Sequence, residues 1–184
     1  ELSNNMRLQA KPFGCVIMSG ISITEIDFES ELKSLKLSGG KQFTADTIIL
    51  ATGGRSRSLG VPGEDIFRGR GISYCATCDG DFFTGKEIAV VGGGNSALEE
   101  AVSLTKYATK VTLIHLFDHF QGFQHAQDEV WKNEKIEVKL SSAIQSFNGD
   151  EKLESVTVKN LLTSEVSDIK LDRVFIFIGY EANT

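Results

Sequence analysis

Positive charge is in short supply in this chain: 19 Lys and Arg stand against 25 Asp and Glu, a formal net charge of −6. That balance leaves no electrostatic footprint for nucleic acid. Long apolar runs are missing too, none approaching the roughly 18 residues of a membrane helix, so no membrane span is expected. Cysteine is scarce: three in 184 residues, one of them isolated, do not make a secreted disulfide framework. With two prolines, no Pro-rich linker divides the chain, and no segment is of low complexity. The opening Glu1-Leu2-Ser3-Asn4-Asn5 reads as neither a signal peptide nor a natural start. The expected compartment is cytoplasmic. What is present, 41% hydrophobic and 24% charged residues, is ordinary for a globular protein and argues against disorder.

The most specific feature is Cys75-Ala76-Thr77-Cys78-Asp79-Gly80. Two thiols separated by two residues can form a small-loop disulfide or hold half of a metal site. Three readings compete. A zinc site would use His115 and His119, which have H-x3-H spacing. The 36 residues between Cys78 and His115, however, hold a whole strand-loop-helix unit, more than a finger's gap, and no metal is expected. An inert buried pair is the second reading, against which stands the polar, glycine-ended turn Thr77 to Gly80. The third is redox chemistry, in which one thiolate attacks and the other thiol resolves the mixed disulfide. Asp79 beside the pair could carry protons or could simply be a turn residue or helix cap. Cys15, in the apolar run Cys15-Val16-Ile17-Met18, is expected in the core.

The second signal is Gly92-Gly93-Gly94-Asn95-Ser96-Ala97, directly after the apolar run Ile88-Ala89-Val90-Val91. G-x-G-x-x-A has meaning only between a strand and a helix, which is its setting here. Gly92 makes the tight turn, Gly94 lets a pyrophosphate approach the backbone, and Ala97 allows close helix-on-sheet packing. The first N–H groups of the helix, at Asn95 and Ser96, then face the phosphates. The alternative is a strand-to-helix turn with no ligand. A redox-type cysteine pair next to such a loop points to electron transfer between a nucleotide cofactor and a protein disulfide.

Two segments end alike. Asp46 to Gly53 and Asp172 to Gly179 each run from an acid through a continuous apolar stretch to a glycine, as expected of a strand buried on both faces of a parallel sheet. Short alternating stretches precede each, at 22–28, 32–37 and 42–44, and again at 143–147, 153–159 and 166–171. Between them, 86–91, 110–114 and 136–140 read as strands, with helices at 95–107 and near 124–133. The expected fold is therefore α/β: a Rossmann-like parallel sheet with a β-meander, plus part of a second, related nucleotide-binding domain. The chain reads as a fragment cut from a larger two-domain protein.

These residues carry a resemblance to a known family. Ala51-Thr52-Gly53, Leu59 to Glu64, Gly69 to Gly80, Gly92 to Glu100 and Ile178 to Thr184 are similar to the low-molecular-weight thioredoxin reductases. The resemblance implies an FAD-binding domain interrupted by a pyridine-nucleotide domain. Residues 1–57 would close the first FAD segment, 58–177 would be the inserted domain with the cysteine pair, and 178–184 would begin the second FAD segment. It further implies electron flow from nicotinamide to FAD, to the cysteine pair and on to thioredoxin, in a homodimer whose domains rotate. Cys78 would face the flavin, Cys75 would attack thioredoxin, and Asp79 would serve as acid–base. Thr52, Gly53, Ile178 and Gly179 would lie near FAD, and Gly92, Gly94, Asn95, Ser96, Ala97 and His115 near the second nucleotide.

One departure is plain. The family carries H-R-R-x-x-x-R after the second strand, its arginines holding the 2′-phosphate of NADPH; here the run is His115-Leu116-Phe117-Asp118-His119-Phe120-Gln121. NADPH is therefore disfavoured, and ferredoxin or another donor is expected in its place. Asp118 is open to two readings, a ribose contact or a solvated loop acid. Two rival functions remain: the flavoprotein reductase of a peroxidase system, and a non-enzymatic nucleotide-binding redox module.

Overall fold

The computed structural model describes residues 1–183, with the side chains of residues 78–81 outside the described residues; the assignments to the Cys78 and Asp79 side chains fall there. The chain divides into two compact units, Glu1–Ala51 and Thr52–Thr184.

The first unit opens with helix α1 (Leu2–Ala10) and continues as a meander of β1 (Ile23–Asp27), β2 (Lys33–Leu37) and β3 (Gln42–Ala45). The three strands pair antiparallel in sequence order, as their alternation predicts. Of its described residues only Leu37 is buried. Two expectations fail here for one reason. Residues 47–53 form no strand, and Ile49 is 91% exposed, because no described strand pairs with them; an apolar run becomes a buried strand only when neighbours take up its N–H and C=O groups. Cys15 is exposed rather than in the core, and Val16 beside it is exposed as well: the run forms no regular element and nothing in the unit covers it.

The second unit begins with β4 (Gly54–Ser56), then α2 (Glu64–Phe67), β5 (Ile72–Ser73) and α3 (Ala76–Asp79). The Rossmann-like run follows: β6 (Glu87–Val91), α4 (Asn95–Leu104), β7 (Lys110–Ile114), α5 (Gln124–Lys132) and β8 (Ile136–Lys139). A meander of β9 (Ser142–Gly149), β10 (Leu153–Asn160) and β11 (Val166–Lys170) leads to β12 (Arg173–Ile176) and the short β13 (Tyr180–Ala182). Five strands form a parallel sheet in the order β5-β12-β6-β7-β8. Unlike the run at 47–53, β12 lies between two neighbours, and its backbone groups are paired on both sides.

Alternation along the strands builds three layers. Ile88, Val90, Val111, Leu113 and Phe175 pack with Leu98, Ala101 and Leu104 of α4 and Ala126 and Val130 of α5. Ala89, Val91, Ile114, Val174 and Ile176 pack on the opposite side with Ile144, Phe147, Val156 and Val158 of the meander. A sheet covered on both faces needs continuous apolar strands, which is why β6 and β12 read that way. α4 stops at Leu104 rather than reaching Tyr107: Thr105, Lys106 and Tyr107 bond to carbonyls three residues back, and the Thr105 hydroxyl donates to Val102 O at 2.7 Å. The tightened turn consumes the orphan carbonyls of the helix end. Finally β4 pairs antiparallel with β13 as a separate ribbon, an element with no signal in the sequence beyond its shortness.

Candidate functional site

The C-terminal ends of β6, β7 and β12 open on one cleft of about 890 Å³, the position at which open α/β sheets bind ligands. Gly92 to Ser96, Cys75 and His115 all line it. The cysteine-bearing turn and the phosphate-loop candidate, well apart in sequence, therefore face the same space.

The three glycines of the loop differ in what requires them. Gly92 has φ +138°, and a Cβ there would collide with the Phe177 carbonyl oxygen and the Ala97 methyl, so both Gly92 and Ala97 are dictated by packing. A Cβ on Gly93 would run into the His115 ring. Around Gly94 nothing lies within 4 Å, and its φ of −85° suits any residue. The missing side chain at Gly94 serves no packing purpose and leaves the backbone open to a ligand. Behind it, α4 has no side-chain cap, and its first helical bond runs from Leu98 N to Gly94 O. The N–H groups at the start of the helix thus point unoccupied by helix bonds toward the cleft, where an anion is favoured. This arrangement fits a pyrophosphate.

Asn95 does not cap the helix. Its Oδ1 accepts a 2.6 Å bond from Phe123 N, while Gln121 N and Gly122 N both donate to Gly93 O. The segment after β7 is thereby tied to the phosphate loop, a tether that nothing in the sequence announced. Ser96 is exposed at the cleft. His115 is 5% exposed, and its Nε2 has no hydrogen-bond partner. Burial pushes its pKa down, with a bond to the His119 backbone acting the other way. A buried imidazole nitrogen without a partner, in the wall of a cleft, is a natural contact for a ligand hydroxyl.

Leu116, Phe117 and Gln121 also line the cleft, so the three positions that lack arginine face it. Among the described lining residues Arg57 is the one permanent cation. Asp118 is on the surface, 2.6 Å from His119 Nδ1, a pairing that holds its carboxyl pKa down, and it does not line the cleft.

Cys75 is disulfide-bonded and half-buried. Its N–H donates to the Ser73 hydroxyl at 3.2 Å. Of the residues assigned to the flavin side, Ile178 and Gly179 line the cleft, whereas Thr52 and Gly53 do not. The ribbon separates them: Gly53 O accepts from Asn183 N at one end, and Gly179 O accepts from Arg57 N at the other.

Sequence reasoning missed one polar hub altogether. Glu64, 2% exposed, accepts from Leu59 N (3.0 Å), Gly60 N (2.7 Å) and the Tyr74 hydroxyl (2.7 Å). An acid in the first turn of a short helix after Pro62-Gly63 was the only available pointer.

A family model described as pyridine nucleotide-disulphide oxidoreductase matches residues 9–184. The thioredoxin reductase of Bacillus subtilis is 42% identical over 180 residues, covering 97% of this chain and 56% of that protein. The thioredoxin reductase of Lactococcus lactis superposes with a TM-score of 0.75 at 38% identity, over 87% of this chain and 53% of that one. A ferredoxin-flavin thioredoxin reductase from Clostridium acetobutylicum superposes at 0.52 with 27% identity, over 96% and 55%. The chain thus spans little more than half the length of the relatives it matches. With a model match over nearly its whole length and a Rossmann-like sheet that presents the glycine loop after β6 and a disulfide-bonded cysteine to one cleft, the chain belongs to the pyridine nucleotide-disulphide oxidoreductase family.

Proposed function

We propose that the protein containing this chain is a flavoprotein disulfide oxidoreductase that reduces thioredoxin through the Cys75–Cys78 pair. The observation that carries this reading is the disulfide-bonded Cys75 in the wall of the cleft formed by the phosphate loop. In this reading residues 58–177 are an inserted nucleotide domain, and 1–57 and 178–184 belong to an FAD-binding domain near Thr52, Gly53, Ile178 and Gly179. FAD would supply the two-electron relay between donor and disulfide. Reduction of the pair takes two electrons and two protons, with Asp79 as the proton carrier. The Cys75 thiolate then attacks the thioredoxin disulfide, and Cys78 resolves the mixed disulfide, returning the pair to its oxidised state. The enzyme works in the cytoplasm as a homodimer. Among the described residues no helix is long and apolar enough to cross a membrane.

The donor in this proposal is not NADPH. Leu116, Phe117 and Gln121 stand in the cleft where the resemblance would place three arginines. Losing two or more charge-assisted contacts to a 2′-phosphate costs roughly 3–6 kcal/mol, on the order of 10²–10⁴-fold in affinity. Ferredoxin is the proposed alternative, a reading that rests on the missing arginines.

Cys75→Ser in the intact protein is the test. Thioredoxin reduction should vanish while the donor still bleaches the flavin. Turnover of thioredoxin at the normal rate by Cys75→Ser would overturn the assignment.

A further inference from the structure

The Glu64 carboxylate is an isolated buried acid with three donors converging on it, and those donors come from two places. Leu59 N and Gly60 N lie on the strap that leaves the β4–β13 ribbon. The third donor, the Tyr74 phenol, belongs to the residue immediately before Cys75. Arg68 completes the group by donating to the Tyr74 oxygen at 3.2 Å, with its guanidinium 4.8 Å from the ring centroid. Ser73, on the other side of Tyr74, brackets Cys75 by accepting from its N–H and donating to its carbonyl oxygen. Arg57, Leu59, Tyr74 and Cys75 all line the nucleotide cleft.

We propose that Glu64 and Tyr74 are positioning residues for the redox disulfide, locking the cysteine-bearing turn to the strap of the ribbon so that Cys75 is held in its disulfide-forming geometry. The proposal rests on the redox reading of Cys75. The physical reason is the cost of the alternatives. Oε1 of this deeply buried carboxylate accepts from both Leu59 N and the Tyr74 hydroxyl and Oε2 accepts from Gly60 N, so each donor lost removes part of the compensation for burying the acid. The phenol therefore has one well-defined place, and the backbone on either side of Tyr74 is fixed through it. Burial and the adjacent carboxylate push the Tyr74 pKa up, which keeps the phenol a donor throughout the working range. The network is formed with Cys75 in the disulfide-bonded state, and whatever part of it loosens when the disulfide opens favours the disulfide over the dithiol.

The test compares the 184-residue chain with its Tyr74→Phe and Glu64→Gln variants. Each is equilibrated with mixtures of reduced and oxidised dithiothreitol. In that exchange the Cys75 disulfide opens to two thiols as dithiothreitol closes its own ring, two electrons and two protons passing from it. The free fraction of Cys75 is read by alkylation and mass spectrometry, and thermal unfolding is followed alongside. Tyr74→Phe keeps the ring and removes one hydrogen bond to a charged group, so the equilibrium should move on the order of tenfold toward the dithiol. A merely structural network would lower the melting temperature and leave this constant unmoved. A Tyr74→Phe constant within twofold of the wild type overturns the proposal, even if Glu64→Gln fails to fold. A wild-type chain with no reversible Cys75 disulfide overturns the redox reading itself, and the two failures are distinguishable.

Discussion

The imidazole of His115 lies directly against the backbone of Gly93, so closely that a Cβ on Gly93 would occupy the ring's own space. The end of β7 is thus keyed into the glycine loop that follows β6. This contact explains why the middle glycine of the loop, a free position in a G-x-G-x-x-A pattern, is glycine here. It also places His115 Nε2, buried and without a partner, in the wall that a nucleotide would touch.

The glycines of the loop should separate folding from binding. Gly92→Ala forces a methyl against the Phe177 carbonyl at a positive φ and should destabilise the chain by about 2–4 kcal/mol. Gly94→Ala meets open space and should cost less than about 1 kcal/mol as an N-cap change. It should nevertheless weaken nucleotide binding on the order of tenfold or more, by blocking the approach to the backbone. Denaturant melts paired with titration calorimetry check both. Equal nucleotide affinity in Gly94→Ala would remove the pyrophosphate assignment.

The triple change Leu116→Arg, Phe117→Arg and Gln121→Arg should raise affinity for NADPH, since all three positions line the cleft. Recovery of even one bidentate phosphate contact corresponds to roughly tenfold or more. NADH affinity should hardly change. A triple variant with unaltered NADPH affinity would show that these side chains do not face the 2′-phosphate.

His115 should make the chain acid-sensitive. Burial lowers its pKa in the folded state below the unfolded value. As pH falls below about 6.5 the unfolded chain takes up a proton that the folded chain resists, so stability drops, and the drop levels off once pH passes the folded pKa. Above that window His115 contributes no pH dependence. Thermal unfolding between pH 8 and 5 should therefore show a larger loss for the wild type than for His115→Gln. Parallel curves for the two proteins would contradict the burial argument.

The chain of 184 residues should purify without flavin. Thr52 and Gly53 are exposed and sit at the far end of the ribbon from Ile178 and Gly179. Among the described residues the one G-x-G-x-x-A loop between a strand and a helix is that at Gly92, and it lines the cleft that Thr52 and Gly53 do not. A yellow preparation with stoichiometric flavin absorbance would refute this.

Much of this protein was legible in the residues alone, because the relevant signals are local. Ile88 to Val91, the glycines after it and the start of α4 at Asn95 follow from apolar continuity and loop chemistry within a dozen residues. The same holds for both meanders, whose alternation needs no knowledge of what covers them, and for the Cys75–Cys78 spacing. Tertiary structure alone decided which apolar runs were buried. Arg173 to Ile176 became a core strand because β5 and β6 flank it; residues 47–53 have the same pattern and, apart from the half-buried Ile48, are exposed, since no described strand stands beside them. It alone brought Cys75 to the wall of the loop at Gly94, keyed His115 into Gly93, and converged Leu59, Gly60 and Tyr74 on Glu64. The physical reason is that periodicity and turn chemistry are properties of a short stretch, whereas burial and hydrogen-bond satisfaction depend on which distant stretches of chain arrive beside it.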